Sequence, residues 1–512
     1  MSEAESYGRY MARGGAVIFI SQLAAGIFAL LLRIFLAKSL SVEEYGMFYA
    51  AFYFVSFFAL FRELGLTSAL AKFLPEFSVR KDRRAIATAI RFVLLLQIVI
   101  VGLISSAILI FSPQIASGFV GDERAAGAVR ILAVWLFVSI FYSTLLSIFQ
   151  GLKDMTAYGW VNAGWDALLL ISAVPLLLIA RLGVNGVALA YVLGTVLISL
   201  FSLAYLALKY RDIIFSRPAP LGPISRVILS FSIPVFIGGI WGMVMGYVDT
   251  WAVTLFRGTE EVGYYQVAQP TARFLFYFAS SVTIPLFPMV SELWARGRKA
   301  LLSKSIHFIL KLSFIAIMPF VLVFLTFPDI IIRILFGEKY LAGVQVLQIF
   351  SIVVVFSLLY KIFGTILAGL GKAKLCATVS FIMCIVCIFA NVILVPVLGM
   401  MGAALSILLA HGTGSLLYGA FLRKYVSFSP PTSPMAKTVA GSVLTLLLIS
   451  ALKSILVLPV FAEAVVVVSV SFLFYAGWVL VTKALSKDDL VFLAKVVPAP
   501  RRLLSLAGKC LH

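Results

Sequence analysis

The sequence predicts an all-α polytopic membrane protein with fourteen transmembrane helices. Hydrophobic residues make up 62% of the 512 residues and charged residues only 12%, which is far more apolar than a water-soluble domain. Apolar segments long enough to cross about 30 Å of hydrocarbon follow one another with short polar breaks. The segments are continuous, whereas barrel strands would alternate polar and apolar residues over about ten positions. Helices are therefore the predicted spanning elements.

The predicted spans follow the apolar segments in chain order. The first begins after Arg13 and lacks a small-residue cleavage site, so we expect it to be retained as a membrane helix rather than removed as a signal peptide. The fourteen spans cover residues 14–37, 46–71, 86–111, 126–150, 157–180, 184–208, 228–254, 263–289, 304–327, 341–368, 373–397, 400–422, 436–458 and 462–482.

The distribution of basic residues predicts the orientation. With a cytoplasmic N-terminus, 28 of the 41 lysine and arginine residues fall in inside segments and only 7 in outside segments. Such an imbalance favours cytoplasmic N and C termini. It also explains the net charge of +20 without a nucleic-acid partner, because the basic residues are spread over many short loops. We expect a multi-pass plasma-membrane protein that contacts membrane lipids and is monomeric.

Two short phrases recur 217 positions apart and indicate an internal repeat. Residues 43–46 read Glu-Glu-Tyr-Gly, and residues 260–263 read Glu-Glu-Val-Gly. Each lies in the predicted outer turn between the first two helices of a six-helix unit, where acidic residues favour the positive N-terminal end of a helix. We interpret the phrases as marks of register rather than as a binding site.

Other features match at nearly the same offset. A small-residue stripe in the first helix corresponds to a glycine stripe in the seventh, and such stripes permit close helix packing in lipid. Six helices per repeat make the two repeats parallel. The predicted domains are residues 1–223 with a cytoplasmic linker, residues 224–428, and residues 429–512 with two further helices and a cytoplasmic tail. The matched positions are Ser21, Ala25 and Ala29 with Gly238, Gly242 and Gly246, and Gly183 with Gly399.

These motifs resemble those of a known family. The phrase at residues 43–48, Leu-Phe-Gly-Glu-Lys-Tyr at 335–340, Gly-Leu-Gly-Lys at 369–372 and the glycine-rich start at 399–405 occur in the order typical of the polysaccharide transporter family. These are the Wzx-type oligosaccharide flippases of the multidrug/oligosaccharidyl-lipid/polysaccharide exporter superfamily. The resemblance implies a V-shaped pair of bundles with alternating access. It also implies a polyprenyl-pyrophosphate-linked oligosaccharide cargo and a groove for the polyprenyl tail at helices thirteen and fourteen.

Charged residues inside predicted spans are costly and therefore mark candidate sites. The resemblance implies that helices one, two, seven and eight line the central cavity, and it makes Arg273 the nearest match to a pyrophosphate-binding arginine. Arg62 and Arg33 are the other candidate substrate ligands, although Arg33 lies near enough to the outer end to reach the interface instead. A guanidinium suits the task because its donors bind phosphate oxygens in pairs.

Acidic residues in the spans are candidates for coupling to H⁺ or Na⁺. Glu63 and Asp249 are the two candidate coupling residues, because a buried carboxylate titrates or binds a hard cation. Arg62 and Glu63 point about 100° apart on an ideal helix, so we expect each to find partners elsewhere. Asp166 is expected to form a structural hydrogen bond, and Lys361 either pairs with it or reaches the inner surface.

The sequence offers no catalytic or cofactor motif. Gly371-Lys372 lacks the spacing and the following serine or threonine of a phosphate-binding loop. The cysteines and histidines do not form a metal-binding pattern, and we expect no metal, no cofactor and no enzymatic activity. Two alternatives to a lipid-linked oligosaccharide flippase remain. One is an ion-coupled drug or metabolite antiporter of the same superfamily, and the other is a polytopic glycosyltransferase or polymerase, for which the outer loops are short.

Overall fold

The computed structural model describes residues 3–214, 216–426, 430–455 and 459–485, and helices make up the regular structure of these residues. The first half of the chain contains the longer helices of one unit and several short connecting helices. In chain order they are α1 (Glu3–Ser39), α2 (Val42–Phe57), α3 (Ala59–Glu63), α4 (Leu66–Val79), α5 (Arg83–Ile110), α6 (Ser112–Ile115), α7 (Ala126–Gly151), α8 (Met155–Leu178), α9 (Gly183–Lys209), α10 (Arg211–Ile214) and α11 (Leu221–Arg257).

The second half of the chain continues the same pattern of long helices and short polar turns. Its helices are α12 (Thr259–Arg273), α13 (Phe276–Ala295), α14 (Lys299–Thr326), α15 (Pro328–Leu335), α16 (Val344–Gly369), α17 (Ala373–Leu398), α18 (Met400–Tyr425), α19 (Thr432–Ile455) and α20 (Val460–Val481). The predicted cytoplasmic tail after residue 485 lies outside the described residues.

Twelve helical segments within the described residues are long and apolar enough to cross a membrane. They correspond to predicted spans one to seven and nine to thirteen. The eighth predicted span is divided into α12, with 15 residues, and α13, with 20 residues. The fourteenth coincides with α20, whose apolar part is Val465–Val481. The all-helical membrane class is thus confirmed, whereas the count of fourteen stays a prediction.

The chain divides into two compact units. Unit 1 comprises Met1–Val267 and Asn391–Ala403, and unit 2 comprises Ala268–Ala390 and Ala404–His512. In unit 1, α1 packs on α8, and α7 packs on α9. In unit 2, α16 packs on α13 and α14, and α14 also packs on α19. The ends of α11 and α12 that meet at Gly258 therefore belong to unit 1, and the predicted domain boundaries at 223 and 428 stay a prediction.

The second predicted span is interrupted in the structure. α3 ends at Leu64, which adopts a left-handed conformation with φ 37°, and Gly65 follows with φ 72°. A Cβ on Gly65 would lie 2.2 Å from the carbonyl oxygen of Ser232 in α11, so only glycine fits this close approach. The interruption separates α3 from α4 and leaves Arg62 and Glu63 in the last turn before the break.

Left-handed backbone occurs at four matched pairs of turn positions in the two halves of the chain. In each pair a residue of the first half has its counterpart 216 or 218 positions later, also with positive φ. The pairs are Lys81 and Gly297, Gly121 and Gly337, Lys153 and Gly371, and Gly183 and Gly399. The same turns thus end and begin corresponding helices in both halves.

The two repeated phrases contact each other within unit 1. A Cβ on Gly46 would lie 1.7 Å from the carbonyl oxygen of Thr259 and 2.7 Å from the backbone nitrogen of Gly263. A Cβ on Gly263 would lie 2.4 Å from the carbonyl oxygen of Val42. The starts of α2 and α12 therefore pack backbone against backbone, and the glycines serve close packing in addition to marking register.

The glutamates of the two phrases hold neighbouring turns. Glu44 forms a capping box with Ser41, in which each side chain accepts a hydrogen bond from the backbone N–H of the other residue. Glu261 accepts hydrogen bonds from Arg257 Nε at 2.9 Å and from the backbone N–H of Met400 at 2.8 Å. Glu261, the second acidic residue of its phrase, therefore holds the turn that begins α18.

The small-residue stripes differ in their packing. Gly159 of α8 lies close to Ser21 of α1, since a Cβ there would come within 3.2 Å of the Ser21 Cβ. In α11, by contrast, a Cβ on Gly238, Gly242 or Gly246 would meet no described atom within 4 Å. The first stripe is a packing surface as predicted, whereas the glycines of the second have no packing partner among the described residues.

Candidate substrate and ion sites

Arg62 and Glu63 form an ion pair at the break between α3 and α4. Arg62 Nη2 lies 2.9 Å from Glu63 Oε1, and Arg62 Nη1 donates to Ser139 Oγ at 2.7 Å. The second Glu63 oxygen accepts a hydrogen bond from Thr67 at 2.8 Å. The expectation that the two do not pair with each other is wrong, because their long side chains bridge the angle between adjacent positions of α3. Arg62 nevertheless also finds a partner on another helix, Ser139 of α7, as predicted.

A polar path continues from this break into α5 and α7. Gln97 of α5 is fully buried and donates from Nε2 to the Arg62 carbonyl oxygen at 2.8 Å. The hydroxyl of Thr144 in α7 donates to Gln97 Oε1 at 2.7 Å. An interrupted helix inside a membrane requires partners for its free carbonyls, and Gln97 supplies one. Arg62 Nε is buried and has no hydrogen-bond partner among the described residues.

Arg33 lies against aromatic rings of α2. Its guanidinium carbon is 4.6 Å from the centroid of the Tyr49 ring, a distance typical of a cation–π contact. Arg33 Nη1 also donates to the carbonyl oxygen of Gln266 in α12 at 3.3 Å. The Arg33 side chain thus points into unit 1 and is partly buried, rather than extending along the helix to an interface.

Asp249 of α11 is fully buried in a hydrogen-bond network with α12. Its Oδ2 accepts from the Tyr265 hydroxyl at 2.7 Å, and its Oδ1 accepts from the Thr250 N–H at 2.7 Å. Gln266 Nε2 donates to Thr250 Oγ1 at 2.8 Å. Gln266 Oε1 is buried without a hydrogen-bond partner in the described part of the chain, so an oxygen ligand remains available beside the carboxylate.

Gln266 connects two of the predicted sites. Its backbone carbonyl accepts hydrogen bonds from Arg33 at 3.3 Å and from the Tyr45 hydroxyl at 3.5 Å. Its side chain belongs to the Asp249 network. The structure therefore connects Arg33 and the Asp249 network through one residue, Gln266, while Arg62 and Glu63 form a separate cluster in unit 1.

Arg273 lies in unit 2 within a basic group. It ends α12 with an exposed side chain, and its charge acts on Lys361 of α16 and on His411 of α18. His411 Nδ1 is 2.6 Å from the Ser357 hydroxyl oxygen, and its ring stacks obliquely on Tyr360 with centroids 4.7 Å apart. Among the described residues no carboxylate forms an ion pair with Arg273, and the sequences of α16 and α18 contain no acidic residue.

Several members of these clusters were not identified from the sequence. Gln97, for example, is signalled by its polar residue type in an apolar helix, but its partners depend on helix packing. Within the described part of the chain, Asp166 neither accepts a hydrogen bond nor lies within ion-pair distance of a cation, so the predicted structural hydrogen bond is wrong. Its carboxylate instead interacts at longer range with Arg33, on the neighbouring helix α1.

Sequence and fold comparisons agree with this architecture. Residues 11–294, more than half of the chain, match the family described as "Polysaccharide biosynthesis protein", and residues 234–397 match the MatE family. An uncharacterised membrane protein of Methanocaldococcus jannaschii is 28% identical over 78% of this chain and 82% of its own length. A probable low-salt glycan biosynthesis flippase of Haloferax volcanii is 22% identical over 81% of this chain and 84% of its own length.

Among solved structures, the lipid II flippase MurJ in an inward closed conformation is similar in fold. The TM-score is 0.73, with 16% identity, and the similarity covers 92% of this chain and 99% of MurJ. The long helices are thus arranged in a similar fold. The chain therefore belongs to the polysaccharide biosynthesis protein family, within the multidrug/oligosaccharidyl-lipid/polysaccharide exporter superfamily.

Proposed function

We propose that this protein moves a polyprenyl-pyrophosphate-linked oligosaccharide from the cytoplasmic to the outer leaflet by alternating access. The observation that carries the proposal is the basic group of unit 2. Arg273 and Lys361 act on each other electrostatically on helices α12 and α16, and the sequences of α16 and α18 contain no acidic residue. Positive charges grouped within membrane helices are costly, and a bound anion lowers that cost.

A pyrophosphate group fits this arrangement chemically. It carries several negative oxygens, and the guanidinium of Arg273 offers a planar set of N–H donors that binds two of them at once. Lys361 adds a second point charge, and the Tyr360 hydroxyl lies one residue away on the same helix. In this proposal Arg62 and Arg33 are further substrate ligands on the path through unit 1, although both already have partners in the present conformation.

Asp249 is the proposed ion-coupling residue. A carboxylate buried beside an amide oxygen without a partner, that of Gln266, offers oxygen ligands to Na⁺ or a site for a proton. Glu63 is the second candidate, but it already accepts hydrogen bonds from Arg62 and Thr67. Binding of an ion at Asp249 would change the α11–α12 contact, because Tyr265 and Gln266 belong to the same network.

The finer architecture belongs to the same proposal. We propose fourteen spans in two parallel six-helix repeats with two additional helices, with α12 and α13 together forming the eighth span. The matched positive-φ turns support the repeat. We also propose cytoplasmic termini, a plasma-membrane location and a monomeric state, with the orientation supported by the excess of basic residues in alternate loops.

Reconstituted transport tests the proposed function. Proteoliposomes containing a polyprenyl-pyrophosphate oligosaccharide should expose its sugar to an external lectin when the wild-type protein is present. Arg273→Ala should reduce the rate at least tenfold, and Arg273→Lys should recover part of it. Arg296→Ala is the matched control, because Arg296 is exposed and pairs with Glu292 on its own helix. A wild-type rate for Arg273→Ala would remove Arg273 from the cargo site.

An ion-coupled drug or metabolite antiporter is the second candidate, because residues 234–397 match the MatE family. The same proteoliposomes distinguish the two functions when a cationic dye replaces the lipid-linked sugar. Ion-dependent uptake of the dye without exposure of the sugar would favour the antiporter and contradict the flippase. The basic group around Arg273 argues against cationic cargo, since like charges repel it from that part of unit 2.

A further inference from the structure

Unit 1 contains an apolar cavity that none of the proposed substrate or ion sites uses. Its volume is about 440 Å³, within the range of about 300–1,000 Å³ that ligand pockets occupy. Helices α5, α7 and α9 form its walls through residues such as Leu94, Phe141, Ile148 and Val196. Arg33, Arg62 and Asp249 do not line it, although Thr144, which donates to Gln97, borders both the cavity and the polar path described above.

The cavity opens sideways between helices that are apolar enough to span the membrane. Leu200 and Leu203 of α9 line it and are 58% and 50% exposed, so they border the opening. In a bilayer this opening faces hydrocarbon rather than water. A hydrocarbon chain is therefore the chemically suitable occupant of the cavity.

The polar end of the cavity is basic. Arg91 lines the cavity, and its Nη2 donates to the carbonyl oxygens of Ile214 at 2.8 Å and Ser216 at 3.1 Å. Both bonds use one nitrogen, so the remaining guanidinium hydrogens are available for a ligand at the exposed edge.

We propose that this cavity binds one chain of a membrane lipid whose anionic head group contacts Arg91. An apolar cavity with a basic edge matches an anionic lipid in both parts, since the chain avoids water and the phosphate meets a guanidinium. The enclosed volume holds a single chain segment rather than a long polyprenyl tail. The site is therefore one for a bilayer lipid that stabilises unit 1, separate from the cargo site.

Lipid retention by the full-length protein tests the site. Protein in detergent is mixed with dioleoylphosphatidylglycerol or dioleoylphosphatidylcholine and analysed by native mass spectrometry. We expect the wild type to retain one phosphatidylglycerol at least fivefold better than phosphatidylcholine. Val196→Trp, which fills the cavity, should abolish the retention, and Arg91→Gln should remove the preference for the anionic lipid.

Matched variants separate a filled cavity from a misfolded protein. Leu203→Trp fills the opening from its exposed edge without disturbing the buried core, and it should also abolish retention. Leu197→Trp lies on α9 at a position that is 39% exposed and does not line the cavity, so it should bind like wild type. Arg84→Gln is the corresponding charge control for Arg91.

Three results would overturn the proposal. Equal retention of both lipids by the wild type would remove the anionic preference, and undiminished retention by Val196→Trp and Leu203→Trp would place the lipid elsewhere. Preferential binding of undecaprenyl phosphate, lost in the two tryptophan variants, would assign the cavity to a carrier chain instead. None of these outcomes depends on transport, so they are separable from failure of the flippase function.

Discussion

At the scale of single residues, Asp154 joins two helices of unit 1 through several polar contacts. It is the N-cap of α8, where its Oδ1 accepts from the Ala157 N–H at 3.2 Å. Its Oδ2 accepts from Lys209 Nζ at 2.7 Å, from the Tyr205 hydroxyl at 3.0 Å and from the Tyr210 hydroxyl at 3.1 Å. One carboxylate thus ties the start of α8 to the end of α9.

These contacts predict a pH-dependent contribution to stability. Burial disfavours the charged form, but the hydrogen bonds from Lys209, Ala157 and Tyr205 outweigh it and lower the pKa of Asp154 below its ordinary value. The stabilisation is complete above the pKa of an unfolded aspartate, about 3.9, and is lost as the pH falls through the lower pKa of the folded protein.

Asp154→Asn should therefore destabilise the protein at pH 7 by about 1–3 kcal/mol, because it removes a charged acceptor from a buried network. The difference from wild type should shrink as the pH is lowered towards 3, as measured by thermal unfolding in detergent. Asp82→Asn is the matched control, since Asp82 caps α5 through the Ala85 N–H at 2.9 Å but lies at an exposed position. Equal losses in the two variants at pH 7 would contradict the role of the Lys209 contact.

The membrane charges show what residue-scale reasoning predicts and what it does not. Arg62, Glu63 and Asp249 were identified because charge in an apolar helix is expensive, and residue type alone supplies that information. Their partners were not identified, because partners depend on where the helix breaks and which helix packs beside it. The Arg62–Glu63 ion pair lies in the last turn of α3, directly before the break at Leu64.

At the scale of helices, the spans were predictable and their interruptions were not. Continuous apolar runs predict a helix wherever they exceed the bilayer thickness, and twelve such helices are present among the described residues. The break after Arg273 comes three residues after Pro270. Proline has no backbone N–H and therefore removes one hydrogen bond of the helix before the break. The break at Leu64 and Gly65 depends on the approach of α11, which is a tertiary effect.

The contact between the starts of α2 and α12 is a second tertiary feature at this scale. Gly46→Ala should disrupt it, because the added Cβ would lie 1.7 Å from the Thr259 carbonyl oxygen, which belongs to the backbone and has little freedom to move. We expect the free energy of unfolding to fall by about 1–3 kcal/mol, as for overpacked interiors. Thermal unfolding in detergent measures the loss. If the contact opens, a cysteine introduced by Thr259→Cys should also react faster with a maleimide.

Gly242→Ala is the control for this contact. It also lies in a membrane helix, but its added Cβ would meet no described atom within 4 Å, and alanine favours helix over glycine by up to about 1 kcal/mol. It should leave the stability unchanged or raise it. If Gly46→Ala were as stable as Gly242→Ala, and Thr259 stayed protected, the α2–α12 contact would not be the close backbone packing seen in this structure.

At the scale of the whole molecule, the repeated turns and the charge distribution are two independent sources of information on the orientation of the repeats in the membrane. The turn at Lys81 corresponds to that at Gly297, and the turn at Gly121 to that at Gly337. The first pair lies in loops rich in arginine and lysine, and the second pair in loops that are not. If the repeats are parallel, corresponding turns lie on the same side of the membrane, and the basic pair is cytoplasmic.

Cysteine labelling with a membrane-impermeant maleimide on intact cells tests sidedness, in a background with the native cysteines replaced. Gln114→Cys and Glu338→Cys should be labelled from outside, whereas Arg80→Cys and Arg298→Cys should be labelled only after permeabilisation; each of the four positions is exposed. Labelling of Arg80→Cys and Arg298→Cys from opposite sides would establish inverted repeats. Labelling of both from outside would keep parallel repeats but reverse the orientation, because a six-helix repeat returns the chain to the side from which it began.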